Sequence, residues 1–585
     1  MAADTRFPSP DKLGFGSSPG KAVSAMSRNV FPRAFWVTRA VLLGAFLFVI
    51  AVVVGLVLLV VSCSTSSPLL GTFPSCSSPS SRTTRRAAAR PPFAWMLLLG
   101  LALGSAALGA ESPVRFPLQV HPSGRYLVDA ELRPFRIHGD AAWDLAVQLP
   151  PAAIDRYLEH RQNQGFNTLT LLLEEHKRWS SSSHAPATPD GLVPFLRPGD
   201  LSTPNDGYFE RIAWVVAEAG RHGMLVLAAP LWLGYVGRDD GWWVELNWPL
   251  NTREVCRDFG RYLARGNGGR FRGLKDAPNL VWVEGGDFFP PPGSEGTVRA
   301  RAVMEGLREG GAQQLQTGHW SEEHVATDQP DFAARMELEA VYTYGANHNG
   351  NILPVARRGY AFDPGRPPHA LPAFLIETQY ESSGWLPPSG VGRSLKLAWR
   401  RLTSALGKPA PVVTRPAEVR RLLYWAQLST IGGVVFGNEQ LWMFEPDWPE
   451  LLDTPGARDM GHLRGLLDSL RWWELVPSGP GAPTAAPLVA GPDDTAGGGD
   501  VAAAATPDRT LLVAYVPGRG SGQRTVGVRN PKDAERLRAR WFDPTRGTWR
   551  AATLSPASGE FRSVTTPGPN GDGDGDWVLT IDPAG

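Results

Sequence analysis

The sequence has few cysteines and almost no net charge. Cys63, Cys76 and Cys256 are the three cysteines among 585 residues, so the chain cannot build a disulfide framework. Cys256 lies in a predicted helix and is expected to be a buried thiol. The 58 basic and 57 acidic residues give a formal net charge of +1, and no basic stripe alternates with aromatic residues. The charge pattern therefore predicts no nucleic-acid partner.

Sequence signatures of bound cofactors and metals are also missing. No glycine-rich phosphate loop follows the first predicted strand, which argues against a doubly wound dinucleotide-binding fold. Metal-dependent hydrolases on a barrel need paired histidines on that strand, where "FRIHGD" offers only His138. The segment "NGDGDGD" (570–576) lacks the distal glutamate of a calcium loop and is interpreted as a flexible turn. We expect neither a cofactor nor a metal, with a metal-dependent hydrolase as the rival enzyme class.

Two apolar segments precede the folded region. Residues 41–62 are uncharged and long enough to span a bilayer, whereas 82–110 combine arginines, an apolar stretch and small residues in the manner of a signal peptide. Either the two segments form a hairpin, or translation starts after the first one. We expect residues 1–110 to lie outside the fold, and the protein to be extracytoplasmic, secreted or anchored to the membrane by this N-terminal segment.

From residue 115 onward, short apolar runs alternate with amphipathic stretches, as in parallel α/β folds. The predicted helices have Pro, Asn or Thr as their first or second residue and end at Gly, at 151–165, 205–223, 252–266, 297–311 and 415–432. Eight units of strand and helix predict a (β/α)8 TIM barrel over residues 111–477. The predicted strands cover residues 134–140, 166–175, 224–230, 279–287, 314–320, 339–344, 372–378 and 432–438.

The texture of the sequence changes after residue 477. Residues 478–505 are rich in Pro, Gly, Ala and Asp, which predicts a linker or long loop. The segments "RTLLVAYVP", "RTVGVRN", "LRARWFDPTRGTW" and "DWVLTIDP" then read as short antiparallel strands. We therefore expect a small all-β sandwich domain over residues 506–585.

The predicted strands end on acids, histidines and aromatic residues. In a TIM barrel the reactive groups project from these C-terminal ends. Such a group of polar and aromatic residues suits a sugar, whose hydroxyls need polar partners and whose apolar face stacks on aromatic rings. The predicted substrate-binding residues are Asp140, Trp143, Glu174, His176, Trp232, Glu284, His319, Trp320, Tyr344, Tyr380, Asn438 and Trp442, with Glu175 and His348 at the same strand ends.

Two of these strand ends carry the candidate catalytic pair. Hydrolysis of a glycosidic bond needs one carboxyl that protonates the leaving oxygen and another that attacks or activates water. Asp287 ends the fourth strand and Glu377 ends the seventh, so the two face each other across the barrel mouth. We interpret Asp287 as general acid/base and Glu377 as nucleophile, with carboxyls about 5 to 5.5 Å apart if configuration is retained.

Each acid also has a structural interpretation. Asp287 after Gly-Gly could cap a helix, although the prolines at 290–292 argue against a helix there. Glu284 is either a ligand to substrate or, by the pattern of its strand, a buried partner of an arginine. Glu381 is interpreted as a loop acid or helix cap.

Taken together, several stretches resemble the apiosidase-like glycoside hydrolases of family 140. The resemblance runs from about residue 115 to the C-terminus, and is carried by "RPFRIHGDAAWDL", "YLEHRQNQGFNTLTLLL", "PNLVWVEGGD", "PAFLIETQYE" and "GGVVFGNEQLW". It implies a barrel glycosidase that acts on an oligosaccharide or polysaccharide, with the family's catalytic Asp and Glu at Asp287 and Glu377. It also implies a terminal β-domain of a kind sometimes named for collagen binding, for which "WFDPTRGTW" supports only the fold.

The sequence departs from that family pattern at two positions. Ala141 stands where relatives tend to have threonine, and Glu284 stands where they tend to have an apolar residue. These departures leave the sugar open between apiose and another furanose or pyranose of a plant or bacterial polysaccharide. A non-catalytic glycan-binding surface protein is the alternative function.

Overall fold

The structure is a computed structural model, and it describes residues 113–176, 184–237, 241–345, 350–361, 370–383, 414–444, 448–484, 488–490, 501–518, 522–531 and 536–584. The predicted export segments and His348 lie outside these residues. Among the helices of the described residues, none is both long and apolar enough to cross a bilayer.

Eight parallel strands form the barrel and confirm the predicted fold class. They are Ile137–Ala141 (β1), Thr168–Leu172 (β2), Leu225–Ala229 (β3), Leu280–Gly285 (β4), Gln316–His319 (β5), Glu339–Tyr342 (β6), Ala373–Glu377 (β7) and Ile431–Phe436 (β8). Their order in the chain matches that of the eight predicted segments. Ordered along the sheet they run β5, β4, β3, β2, β1, β8, β7 and β6, followed by a short antiparallel strand, His324–Val325.

The first predicted strand, at 134–140, is two strands in the structure. Pro134–Phe135 pairs with Leu127–Val128 in a small antiparallel sheet, which Gln119–Val120 completes. Only Ile137–Ala141 belongs to the barrel. The single predicted strand therefore covers residues that belong to two different sheets.

The barrel is nearly closed between β5 and β6. The hydroxyl of Thr317 donates to the Leu338 carbonyl at 2.9 Å and accepts from the Ala340 amide at 3.2 Å. The Gln316 carbonyl accepts from the Leu338 amide at 3.1 Å. A side chain thus replaces part of the regular ladder at this seam.

The five predicted helices are present on the outside of the barrel. Asn205 and Thr252 cap their helices through side-chain oxygens that accept from Gly207 and Val255 amides. The helices are Pro151–Asn163, Asp206–Arg221, Arg253–Arg265, Glu295–Glu309 and Pro416–Thr430, and Leu145–Gln148, Trp243–Leu246, Leu353–Tyr360 and Pro455–Asp468 add to them.

Two antiparallel sheets form the C-terminal region, and they begin earlier than the sequence predicts. Residues 478–505 are not simply a linker, because Ala502–Ala505 is a strand of the larger sheet and Val489–Ala490 a strand of the smaller one. The larger sheet contains Val476–Ser478, Ala502–Ala505, Leu512–Val516, Trp577–Pro583, Leu537–Asp543 and Thr548–Ala551, and the smaller contains Val489–Ala490, Thr525–Arg529 and Phe561–Thr565.

The central strands of the larger sheet, Ala502–Ala505 and Leu512–Val516, are buried on both faces. Val513 and Tyr515 pack in one core with residues of the barrel helix Pro416–Thr430. The alternate residues Leu512 and Ala514 pack in another core, shared with the smaller sheet. This two-residue period places alternate side chains on opposite faces. The sheet therefore packs against the barrel helix on one face and against the smaller sheet on the other.

Candidate functional site

A left-handed turn carries Asp287 off the end of β4. Gly285, Gly286 and Asp287 have φ angles of 93°, 122° and 51° in succession. A Cβ at Gly286 would lie 2.5 Å from the Trp232 ring, so only glycine fits there. The strand therefore ends in a glycine turn that points Asp287 into the barrel mouth.

His319 lies between the two predicted catalytic residues. Its Nδ1 accepts from the Asp287 backbone amide at 3.2 Å, and its Nε2 lies 3.0 Å from Glu377 Oε2. Because a backbone N–H can only donate, Nδ1 is unprotonated and Nε2–H is the donor to Glu377. One buried imidazole thus holds the Asp287 backbone and the Glu377 side chain in fixed relation.

Two tyrosines make a second bridge. Tyr342 donates to Asp287 Oδ1 at 2.7 Å, and Tyr344 donates to Glu377 Oε1 at 2.9 Å. Their hydroxyl oxygens are 3.4 Å apart. Burial, and then the nearby Glu377 carboxylate, raises the pKa of both tyrosines well above the usual range, so both remain protonated donors at neutral pH.

Both carboxyls line a cavity of about 160 Å³ at the barrel mouth, which we call the carboxylate cavity. Trp143 donates its Nε1–H to the Tyr380 hydroxyl at 2.9 Å, which joins the walls formed after β1 and β7. Aromatic rings and carboxyls together line the space. The lining residues are Trp143, Trp232, Asp287, Tyr344, Glu377, Tyr380, Glu439 and Trp442.

Asp140 lies outside this cavity, contrary to the prediction that it binds substrate. Its Oδ2 accepts from Tyr157 at 2.5 Å and from Arg161 at 2.6 Å, both on the outer helix Pro151–Asn163. Burial raises the pKa of Asp140 in spite of the arginine. The carboxyl therefore anchors a helix to β1.

The acids after β2 also lie away from the cavity. Glu174 is fully buried, and its carboxyl oxygens have no hydrogen-bond partner in the described part of the chain. Burial raises the pKa of Glu174 well above its usual range. Glu175 accepts from the Gln148 amide at 2.9 and 2.7 Å. His176 lines a separate cavity beside the first.

Glu284 does not line the carboxylate cavity either. It is buried, and burial raises its pKa to about 8, opposed by the Arg308 cation. This position agrees with a buried strand residue near an arginine rather than with a ligand to substrate. Ala141, the other departure from the family pattern, is also buried outside the lining, so neither departure alters the described wall of the cavity.

Trp320 and Asn438 differ from the prediction in the same way. The Trp320 indole donates to the Ala326 carbonyl at 2.7 Å and packs against Phe332. Asn438 donates to Glu381 Oε2 at 3.2 Å. Glu381 in turn accepts from the Gly456 amide at 3.0 Å, in the first turn of Pro455–Asp468, whose N-cap is Thr454.

Two residues of the site were missed by the sequence interpretation. Tyr342 is the last residue of β6, but the predicted strand runs to residue 344, so the search of strand ends selects Tyr344 instead. Glu439 follows Asn438 directly and accepts from the Ser383 hydroxyl at 2.9 Å. Burial raises the pKa of Glu439, and the Glu377 carboxylate adds to this effect. The "GNEQLW" motif contained this acid, but only the fold shows that it faces the cavity.

Comparison with known proteins agrees with this architecture. One solved glycoside hydrolase is 17% identical, with a TM-score of 0.60 over 80% of this chain and 97% of that chain. A glycoside hydrolase family 5 structure from Bacteroides vulgatus ATCC 8482 is also 17% identical, with a TM-score of 0.60 over 80% and 95% of the two chains. These similarities show the fold. No curated protein matches the chain.

A family model settles the relationship. Residues 121–474, which contain the whole barrel and the three carboxyls of the carboxylate cavity, match the model described as "Apiosidase-like, catalytic domain". The match covers more than half of the 585 residues. The chain therefore belongs to the apiosidase-like family and is a glycoside hydrolase.

Proposed function

We propose that this hydrolase removes a terminal, neutral sugar from a plant or bacterial oligosaccharide or polysaccharide with retention of configuration. Asp287 acts as general acid/base and Glu377 as nucleophile. In the first step Asp287 gives its proton to the glycosidic oxygen, the C–O bond breaks, and Glu377 forms a glycosyl ester with the anomeric carbon. In the second step Asp287 takes a proton from water, whose oxygen attacks that carbon and releases the sugar.

The observation that carries this proposal is the hydrogen bonding and placement of the Glu377 carboxyl. Its Oε2 accepts from His319 and its Oε1 from Tyr344, while the side chain faces the carboxylate cavity. Hydrogen bonds of this kind stabilise a carboxylate anion and fix its direction. A nucleophile needs both properties, because it must be ionised and aimed before the substrate arrives.

The cavity also supports the class of substrate. Asp287, Glu377 and Glu439 contribute three carboxyls, and the described lining includes no Lys or Arg. A uronic acid would place another negative charge among them, which is unfavourable. The volume of about 160 Å³ is below the usual pocket range of roughly 300 to 1,000 Å³, and it suits one sugar residue at a chain end.

We also propose that the protein is exported and remains secreted or membrane-attached. The support is the pair of N-terminal apolar segments, 41–62 and 82–110. A polymeric substrate outside the cell would require such a location. Fractionation of the native host into soluble, membrane and medium fractions tests it, and protein found only in the cytoplasm would reject it.

The test of function is hydrolysis of a panel of aryl furanosides, aryl pyranosides and pectic oligosaccharides. Asp287→Asn and Glu377→Gln should each lower turnover of the cleaved sugar by several powers of ten. Glu322→Gln, at an exposed acid of the loop after β5, is the matched control and should retain activity. Activity that persists in both cavity variants would remove the carboxyl pair from the mechanism.

Two further measurements test the mechanism itself. The first-formed anomer, followed by proton NMR, should have the configuration of the substrate. A 2-fluoro glycoside of the cleaved sugar should label the peptide that contains Glu377, and mass spectrometry should find no label in Glu377→Gln. An inverted product would reject retention. If no sugar is cleaved but Asp287→Asn still binds glycan, a binding protein becomes the better interpretation.

A further inference from the structure

A second cavity of about 310 Å³ opens on the same end of the barrel, and we call it the side cavity. Phe195 and Gly199, in the connection after β2, form one wall, and Trp242 and Trp248, in the connection after β3, form the other. The C-terminal ends of parallel strands lie at one end of a barrel. The side cavity therefore shares the rim on which the carboxylate cavity lies.

A backbone hydrogen bond joins two tryptophans that line different cavities. The Trp242 amide donates to the Trp232 carbonyl at 2.8 Å. Trp232 lines the carboxylate cavity, and Trp242 lines the side cavity. A carbohydrate chain that leaves the first cavity toward β3 would therefore meet the second.

Hydrogen bonds within the protein hold the walls of the side cavity in place. Asn251 is fully buried and its Nδ2 donates to the Gly199 and Glu245 carbonyls, each at 2.7 Å. Its Oδ1 accepts from the Leu201 amide at 3.0 Å. One side chain thus ties the connection after β2 to the connection after β3, so the space is preformed.

The lining combines an aromatic surface with a single polar pair. Trp248 is 36% exposed at the rim and lies against Gly199, where a Cβ would be 2.4 Å from its ring. His176 is 4% exposed, and its Nε2 lies 3.3 Å from Glu245 Oε1. The remaining lining is mostly proline and aliphatic, including the exposed Leu196, and its described residues include no Lys or Arg.

From this we propose that the side cavity is a distal subsite for a neutral sugar residue of the same substrate chain, one that carries an apolar methyl, deoxy or O-acetyl group. The sugar face stacks on Trp248, and its hydroxyls bond to Glu245 and His176. The apolar substituent packs against the proline and aliphatic residues of the wall. This inference rests on the proposed function, since the chain that fills the subsite is the one whose terminal sugar is cleaved.

The test compares two substrates of the full-length protein. An aryl glycoside of the cleaved sugar occupies the carboxylate cavity alone, whereas a pectic oligosaccharide pool bearing that sugar reaches both cavities. Trp248→Ala should raise KM for the pool about tenfold and leave kcat on the aryl glycoside unchanged. Treatment of the pool with mild alkali, which removes O-acetyl groups, should raise the wild-type KM and reduce the effect of the substitution if acetyl is the group bound.

Leu196→Ala and Leu250→Ala make a matched pair, because both side chains are exposed but only Leu196 lines the side cavity. Only Leu196→Ala should raise KM for the pool. An unchanged KM in Trp248→Ala and Leu196→Ala, with normal aryl glycoside hydrolysis, would overturn the subsite and leave the proposed function standing. If the wild type cleaves neither substrate, the proposed function fails instead. Equal melting temperatures for variants and wild type would exclude misfolding as the cause of a raised KM.

Discussion

The imidazole of His319 donates from Nε2 to Glu377, 3.0 Å away, while its Nδ1 accepts from the backbone of Asp287. Because a backbone N–H can only donate, this relationship makes Nδ1 the acceptor and places a ring hydrogen on Nε2, toward Glu377. His319 is completely buried and stacks on Tyr342, with ring centroids 4.5 Å apart. The proposed nucleophile and acid/base therefore depend on one ring for their relative placement.

Substitutions of His319 should separate its two contacts. Asn retains an acceptor near the Nδ1 position and loses the donor to Glu377, whereas Gln retains a donor near Nε2. We expect kcat to fall about 10²-fold in His319→Asn and less in His319→Gln, because the lost donor acts on the charged group. His324→Asn, at a partly exposed histidine, is the control. Wild-type turnover in His319→Asn would show that the donor to Glu377 is dispensable.

A second prediction concerns the turn that presents Asp287. Gly286→Ala places a Cβ 2.5 Å from Trp232, which lines the carboxylate cavity, at a φ of 122°. We expect kcat/KM to fall at least about tenfold, because a displacement of about 1 Å at a reacting group can cost 10²-fold.

Gly293→Ala is the matched control for this turn. Its φ is 68°, and a Cβ would meet nothing within 4 Å, so only the backbone strain of about 1 to 2 kcal/mol is shared. Activity assays and thermal melts should show a loss of activity confined to Gly286→Ala. Equal loss in both variants would attribute the effect to strain alone.

The sequence predicted the parts of the site that follow from strand order. Glu377 is the last residue of β7 and Asp287 lies two residues beyond β4, so the fold brings them to one mouth without knowledge of side-chain directions. Asp140 ends the predicted first strand too, but its side chain points to Arg161 on the outer helix. A shift of one residue exchanges the inner and outer faces of a strand, so position at a strand end alone does not decide which residues bind substrate.

Other features required contacts between distant parts of the chain. Tyr342 reaches Asp287 over 55 residues, and no local motif marks that pair. The strand Ala502–Ala505 was interpreted as part of a linker, because four alanines have low strand propensity and no alternation. In the structure Ala502 and Ala504 face the barrel while Ala503 and Ala505 face the small sheet, so small residues suit a strand packed on both sides.

The junction of barrel and sandwich gives a prediction about stability. Arg420, on the barrel helix Pro416–Thr430, is buried and donates to Asp459, Asp574 and Asp576, each at 2.8 Å. Arg420→Met leaves buried carboxyls without their cation, which should cost about 3 to 5 kcal/mol of unfolding free energy. Chemical denaturation should show a much smaller change in Arg421→Met, the neighbouring arginine. An equal loss of unfolding free energy in both variants would show that Arg420 has no special role in holding the barrel to the sandwich.

The last prediction follows from the buried carboxyl of Glu284, whose pKa is raised to about 8 by burial. In the unfolded chain its pKa is 4.5, so between these values the folded protein holds a proton that the unfolded chain does not. Stability is therefore fully present below pH 4.5 and is lost as the pH rises toward 8. Each pH unit of this interval corresponds to roughly 1.4 kcal/mol of unfolding free energy, and the loss ends when the folded carboxyl ionises.

Glu284→Gln cannot ionise, so its melting temperature should match wild type near pH 4 and exceed it increasingly toward pH 8. Subtraction of the wild-type curve removes the contributions of other acids, and a difference independent of pH would show that folding does not raise the pKa of Glu284.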